Sequence, residues 1–152
     1  MGMAELRLEE LSAKTIVAAN GLTLRRGQEQ FVSPVSYSIA DAYINPVTSW
    51  PRVVLDGDEV VGFIRGNFDP DADQEEFRSC IWRINVAADV QGRGVGTFAV
   101  MALADEARNR GFDRLTVIWE PGEEGPESFF LRLGFEVVGQ TQYGENFGAL
   151  KL

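Results

Sequence analysis

The sequence predicts an α/β fold built on one sheet of mixed strand direction. Three observations carry this. A β-branched, apolar stretch, Phe77–Val86, runs into a glycine-rich turn and then into an amphipathic helix over Thr97–Arg110. A second strand-to-helix step follows, from Arg114–Trp119 to Glu127–Leu133. Upstream, two apolar runs flank Asp56-Gly57-Asp58, the strongest hairpin signal in the chain. Parallel strands need crossover helices and hairpins make antiparallel pairs, so both kinds of step in one chain imply a mixed sheet.

The elements follow in order. Leu6, Leu8 and Leu11 nearly alternate and suggest a first strand over Ala4–Glu10. Ser12 can cap a helix running to about Leu22, interrupted at Asn20-Gly21. Ser36 or Ser38 can start a second short helix through Tyr43, halted by Asn45-Pro46. Arg52–Asp56 and Glu59–Phe68 form the hairpin around Gly57. Asn67–Glu76, with Asp69, Pro70, Asp71 and Asp73, reads as an exposed loop.

In the Thr97–Arg110 helix, Val100, Leu103, Ala104 and Ala107 share one face, and Gly111 stops it. Arg114–Trp119 is β-branched and apolar. Pro126 suits the start of the Glu127–Leu133 helix, and Gly134 its end. Phe135–Gln140 and Asn146–Leu152 can make a closing hairpin. The predicted order is β-α-α-β-β-β-α-β-α-β-β, in a single domain over residues 1–152.

Composition narrows the function. The 152 residues hold 45% hydrophobic and 24% charged residues, ordinary for a globular domain. The longest apolar runs are too short to span a membrane, and the N-terminus has no basic region followed by an apolar core. A cytoplasmic address without membrane association is the expectation. Net charge is −9, from 23 acidic and 14 basic residues, which argues against nucleic acid and suits a cationic small molecule. The chain has no histidine, which removes Ser-His-Asp and Cys-His catalysis and His-based zinc sites. Its single cysteine, Cys80, removes an internal disulfide and Cys-rich metal sites; among Phe77, Ile81, Trp82 and Ile84 it reads as a buried thiol. No metal is expected.

The turn Gln91-Gly92-Arg93-Gly94-Val95-Gly96 is the richest motif. Glycines there let backbone approach a ligand, and the helix that follows offers unpaired N–H groups and a positive dipole end. Together these suit an anion, most often a phosphate. A dinucleotide fingerprint needs a third glycine where Thr97 stands, and a P-loop needs Gly-Lys-Ser/Thr, which is absent. What remains is Gln-x-x-Gly-x-Gly, preceded by Val86-Ala87-Ala88-Asp89-Val90. This resembles the coenzyme A pyrophosphate loop of the GNAT superfamily of N-acetyltransferases. Pro126-Glu127-Ser128-Phe129-Phe130-Leu131-Arg132-Leu133-Gly134-Phe135 resembles the second motif of that superfamily, a short helix with an aromatic pair ending in Gly-Phe. The phrase from Trp119 to Glu127, with Gln30–Pro34 and Ser38–Tyr43 upstream, is similar to the bacterial spermine, spermidine and diamine acetyltransferase subset.

The resemblance implies a GNAT fold whose middle strands splay apart, and a reaction that moves an acetyl group from acetyl-CoA to a primary amine. It implies that Gln91, Gly92, Arg93, Gly94, Val95, Gly96 and Thr97 hold the pyrophosphate, and that the pantetheine arm pairs with backbone near Ile84 and Val86. Phe130 falls at the position of the family's aromatic pair that is usually Tyr, and Glu123 where the family often has Asn. With no histidine, a carboxylate is the natural candidate to take the amine proton. Glu120 is the first candidate, and a backbone-capping turn residue is its equal alternative. Without a Tyr at 130, either Tyr143 protonates the thiolate, or the thiolate leaves without an acid, or activity is weak. Glu29, Tyr37 and Asp41 are candidates to hold a cationic acceptor, a polyamine being favoured over an amino acid, an aminoglycoside or a protein amine. A coenzyme A-binding module with little turnover is the alternative from another class. Phe147–Leu152 can pair across a homodimer or close its own sheet.

Overall fold

A computed structural model describes residues 5–22, 35–123 and 125–152. Its elements are β1 (Leu6–Glu10), α1 (Ile16–Asn20), α2 (Val35–Ile44), β2 (Ser49–Asp56), β3 (Glu59–Phe68), β4 (Ser79–Val86), α3 (Val95–Asn109), β5 (Arg114–Trp119), α4 (Glu127–Leu133), β6 (Glu136–Gln140) and β7 (Asn146–Lys151). Short 3-10 turns at Glu75–Phe77 and Ala88–Val90 complete the order, which matches the predicted one. Seven strands form one sheet in the order β1-β2-β3-β4-β5-β7-β6.

The hairpin forms as expected, with Asp56 opposite Glu59 across a turn whose Gly57 has a φ of 61°. Its first strand starts earlier than predicted, at Ser49, and passes through Pro51. β1 ends opposite Arg52, so on that side β2 is already an edge at Pro51, a position a proline tolerates. Asn67 and Phe68 belong to β3 and not to the loop, because Asn67 pairs with Cys80 and Phe68 with Ser79. Both are buried, and Asn67 Nδ2 donates to Phe77 O at 2.8 Å. The first helix is much shorter than predicted. Ser12 accepts at its Oγ from Lys14 N, and the helix proper spans only Ile16–Asn20.

Consecutive residues of β3 face opposite sides of the sheet. Ile64 joins the large core beneath α3, while Phe63 joins a smaller cluster with Ala19 and Val35 of α1 and α2. The helix α3 buries Val95, Ala99, Val100, Leu103, Ala104 and Ala107, a single helical stripe. That core continues through Leu115, Val117 and Trp119 of β5 to Phe130 and Phe135.

The arrangement of β4 and β5 matters most for function. Among the described residues they are the one parallel pair, and their register holds a single pair, Cys80 with Thr116. Thr116 Oγ1 lies 2.8 Å from Glu76 O and 3.2 Å from Ser79 O, and so ties the two strands at that end. Beyond it they part. From Ile81 to Val86, β4 pairs only with β3, while Val117–Trp119 pair only with β7. The splayed middle strands are therefore present. β7 lies between β5 and β6, so Phe147–Lys151 close their own sheet and the free edge beyond them is β6.

Candidate active site

Because β4 and β5 run parallel, their C-terminal ends lie at the same edge, the usual ligand side of an open α/β sheet. Two groups of residues meet there, and a third lies under α2, across the middle of β3 and β4.

The first is the glycine turn. After Val86, the backbone N–H of Ala87 donates to Val61 O at 2.9 Å, and Gln91 Nε2 reaches back to Val86 O at 2.9 Å. Gln91 thus ties the loop to the strand end. Gly92 and Gly94 have φ values of 82° and 90°, and open space surrounds the position a Cβ would take at each. The helix α3 starts at Val95, two residues earlier than predicted. Gly94 is its N-cap residue and, having no side chain, supplies no cap to the first-turn N–H groups. Arg93 and Thr97 are exposed. The Val95 side chain is buried in the core, so only its backbone can serve a ligand. A Cβ on Gly96 would come within 2.9 Å of Phe129 Cζ, so the aromatic pair of α4 packs on the turn itself.

The second group forms the gap between the parted strands. Ile84 and Val86 are half-buried on the β4 side. On the β5 side, Trp119 stacks on Phe130 with ring centroids 5.4 Å apart. Phe130, 3% exposed, also touches Phe129 and Phe135 at 5.1 and 5.6 Å, so its ring is a full member of the core. Glu127 locks this wall. Its Oε1 accepts from Trp119 Nε1 at 3.2 Å and from Asn146 Nδ2 at 2.9 Å. Glu120 follows Trp119 and is exposed. Trp119 pairs with Asn146, which puts the β6–β7 turn at the Glu120 end of β5. Tyr143 lies in that turn, 81% exposed, its N–H donating to Thr141 Oγ1. Glu123 is exposed in the loop before α4.

The third group lies beneath α2. Tyr37 is exposed, and Glu29 and Glu124 lie outside the described residues. Asp41 faces Arg65 of β3, with Oδ2 3.0 Å from Nη2. The Arg65 side chain is 1% exposed. It donates to Ser49 Oγ, and its guanidinium lies 4.5 Å from the Trp82 ring centre. Burial lowers its pKa below the usual arginine value, while Asp41 pulls the other way. Arg83 is its register partner on β4, and Trp82 is the extra residue of a bulge. Sequence reasoning passed over Arg65, Trp82 and Arg83. The available signal was an arginine inside the apolar run Val60–Phe68.

Cys80 is 3% exposed and opposite Asn67, and burial pushes its thiol up to about 12, so it is no nucleophile at neutral pH. Among the described residues, no three His, Cys, Asp or Glu side chains are grouped to hold a metal ion. No described helix is long and apolar enough to cross a membrane.

Comparison with known proteins agrees with this geometry. Residues 22–135 match the model of the Acetyltransferase (GNAT) family. An L-methionine sulfoximine/L-methionine sulfone acetyltransferase of Pseudomonas paraeruginosa is 34% identical over 76 residues, covering 49% of this chain and 44% of that protein. An L-2,4-diaminobutyric acid acetyltransferase of Shouchella clausii is 32% identical over 81 residues, covering 53% of this chain and 44% of that protein. The matched stretch thus spans less than half the length of these relatives. A GNAT family acetyltransferase from Elizabethkingia anophelis, solved with acetyl-CoA bound, superposes with a TM-score of 0.69 at 14% identity, covering 98% of this chain and 99% of that one.

Proposed function

The chain belongs to the Acetyltransferase (GNAT) family, and we propose that it transfers an acetyl group from acetyl-CoA to a primary amine of a small acceptor. The observation that carries this is the parting of β4 from β5 at the edge where the glycine turn opens α3. A strand β4 that past Cys80 has only β3 as a strand partner among the described residues suits an extended amide-bearing arm, and a turn with open space at Gly92 and Gly94 suits a pyrophosphate.

The co-substrate supplies a thioester, whose C–S bond breaks as the amine N–C bond forms. The backbone N–H groups from Gln91 to Thr97 would hold the phosphates, with Arg93 adding charge. Ile84 and Val86 would pair with the arm through their backbone, and an N–H there would stabilise the oxyanion. Phe130 would support the arm only through the aromatic wall it shares with Trp119 and Phe129. Glu123 would accept from an amide N–H. Glu120, exposed at the end of β5, would take the amine proton directly or through a water. Tyr143, at the same end of the sheet, would return a proton to the departing thiolate.

Two readings of the acceptor have support. A polyamine is favoured by the net charge of −9 and by the resemblance of the Trp119–Glu127 phrase to diamine acetyltransferases. An amino acid is favoured by the relatives, which act on L-methionine sulfoximine, L-methionine sulfone and L-2,4-diaminobutyric acid. Tyr37 and Glu29 are the proposed acceptor contacts in either case, with Asp41 held by Arg65 beside them, in a monomer or homodimer of a cytoplasmic protein. Incubating the protein with acetyl-CoA and a panel of amines, and measuring free thiol, tests the proposal. Release that depends on an added amine is the expected result. Coenzyme A binding with no release for polyamines, amino acids, aminoglycosides or peptides would point to a binding module instead.

A further inference from the structure

We propose that Arg65 and Arg83 form a carboxylate-binding site, so that the acceptor carries a carboxylate as well as an amine; this rests on the acetyltransferase reading above. The starting observation is a polar cluster with donors left over. Nε and Nη1 of Arg65, Nε of Arg83 and Oγ of Ser38 are buried without a hydrogen-bond partner among the described residues. Buried polar groups are nearly always paired, and a buried arginine whose only role is structural is normally satisfied on all its nitrogens. Arg65 has Ser49 and Asp41 on Nη2 alone. Even that ion pair is poorly aligned, since Asp41 Oδ2 makes no hydrogen bond.

Charge points the same way. Arg65 and Arg83 bring two positive charges, and Asp41 is the one carboxylate paired with either among the described residues. The cluster is one negative charge short of neutral. Asp41 is therefore already engaged by a cation of the chain itself. A carboxylate offers two oxygens with about four acceptor sites, which matches guanidinium donors and a hydroxyl.

The position fits an acceptor. Arg65 and Arg83 are register partners, so their Cα atoms lie about 4.5–5.5 Å apart. Arg83 is half-buried and is the member that meets solvent. Ile84 to Val86 lie one to three residues beyond it, about 3–10 Å along the strand. The amine of a diamino acid lies within that span of its carboxylate.

The test compares acceptors that differ only by the carboxylate: L-2,4-diaminobutyrate with 1,3-diaminopropane, and L-lysine with cadaverine. Thiol release from acetyl-CoA is followed for the wild type, Arg65→Gln and Arg83→Gln. The wild type is expected to favour each diamino acid over its diamine by about 10- to 100-fold in kcat/KM, the size of one or two charge-assisted hydrogen bonds. Both variants should bring that ratio toward one, chiefly through KM. A wild type that prefers the diamines, or a ratio unmoved in Arg83→Gln, overturns the proposal. Arg83→Gln keeps the test usable if Arg65→Gln does not fold, because Arg83 makes no ion pair among the described residues. If no acceptor releases thiol, the acetyltransferase reading fails by itself. Thermal shifts with L-2,4-diaminobutyrate and 1,3-diaminopropane then decide the carboxylate site. Stabilisation by the diamino acid alone, lost in Arg83→Gln, supports it; equal shifts or none overturn it.

Discussion

Replacing Gly148 with alanine probes the wall on the β5 side of the gap. A Cβ at Gly148 would stand 2.4 Å from Trp119 Cζ3 and 2.6 Å from Cη2. The indole has nowhere to go, because it is stacked on Phe130 and held at Nε1 by Glu127. Overpacking of this kind costs about 1–3 kcal/mol. Breaking the Trp119–Glu127 hydrogen bond adds about 1 kcal/mol. Gly148→Ala should therefore destabilise by roughly 2–4 kcal/mol, a fall in Tm of about 5–15 °C for a domain of this size. Urea unfolding gives the free energy directly. A double-mutant cycle isolates the cause, since Trp119→Phe removes the outer ring edge that the new methyl strikes. In that background Gly148→Ala should cost less than about 1 kcal/mol, which leaves a coupling of at least about 1 kcal/mol. Gly148→Ala within about 0.5 kcal/mol of the wild type, or costs that simply add, would refute the reasoning.

Gly94→Ala should weaken coenzyme A binding, seen by calorimetry, and cost about 1–2 kcal/mol of stability, because φ is 90° there while open space removes any clash; unchanged affinity would dissociate the turn from the co-substrate. Phe130→Tyr should raise kcat with a good amine by restoring the hydroxyl the aromatic pair lacks, and no change or a loss would remove the missing-acid argument. Cys80 should resist a thiol reagent at pH 8 in the folded protein and react once unfolded. Its pKa is raised on folding, so its contribution to stability is present below about 9 and is lost as pH rises toward about 12; Cys80→Ala should flatten the stability profile over that window. Equal slopes for the two proteins would contradict that thiol's burial.

Local chemistry explains what was legible. The second strand of the hairpin, α4 and β5 were readable to the residue, because glycine, proline and β-branched residues punctuate the chain there. The start of α3 was read two residues late, since Val95 and Gly96 look like loop between glycines while Gly94 already serves as the cap. Asn67 and Phe68 were read both as the end of the hairpin strand and as the start of the loop, and pairing with β4 keeps them in the strand.

By itself the sequence determined the element order, the glycine turn at a strand-to-helix step, and the aromatic pair downstream. Each is written in residues a few positions apart, within reach of backbone preference and helical or strand period. Tertiary structure alone decided that β4 and β5 meet at Cys80 and Thr116 and then part. It alone set Asp41 against Arg65, 24 positions away on another element, and left Arg65 with nitrogens to spare. Such facts depend on how one sheet twists and what a helix covers, and no local pattern encodes them.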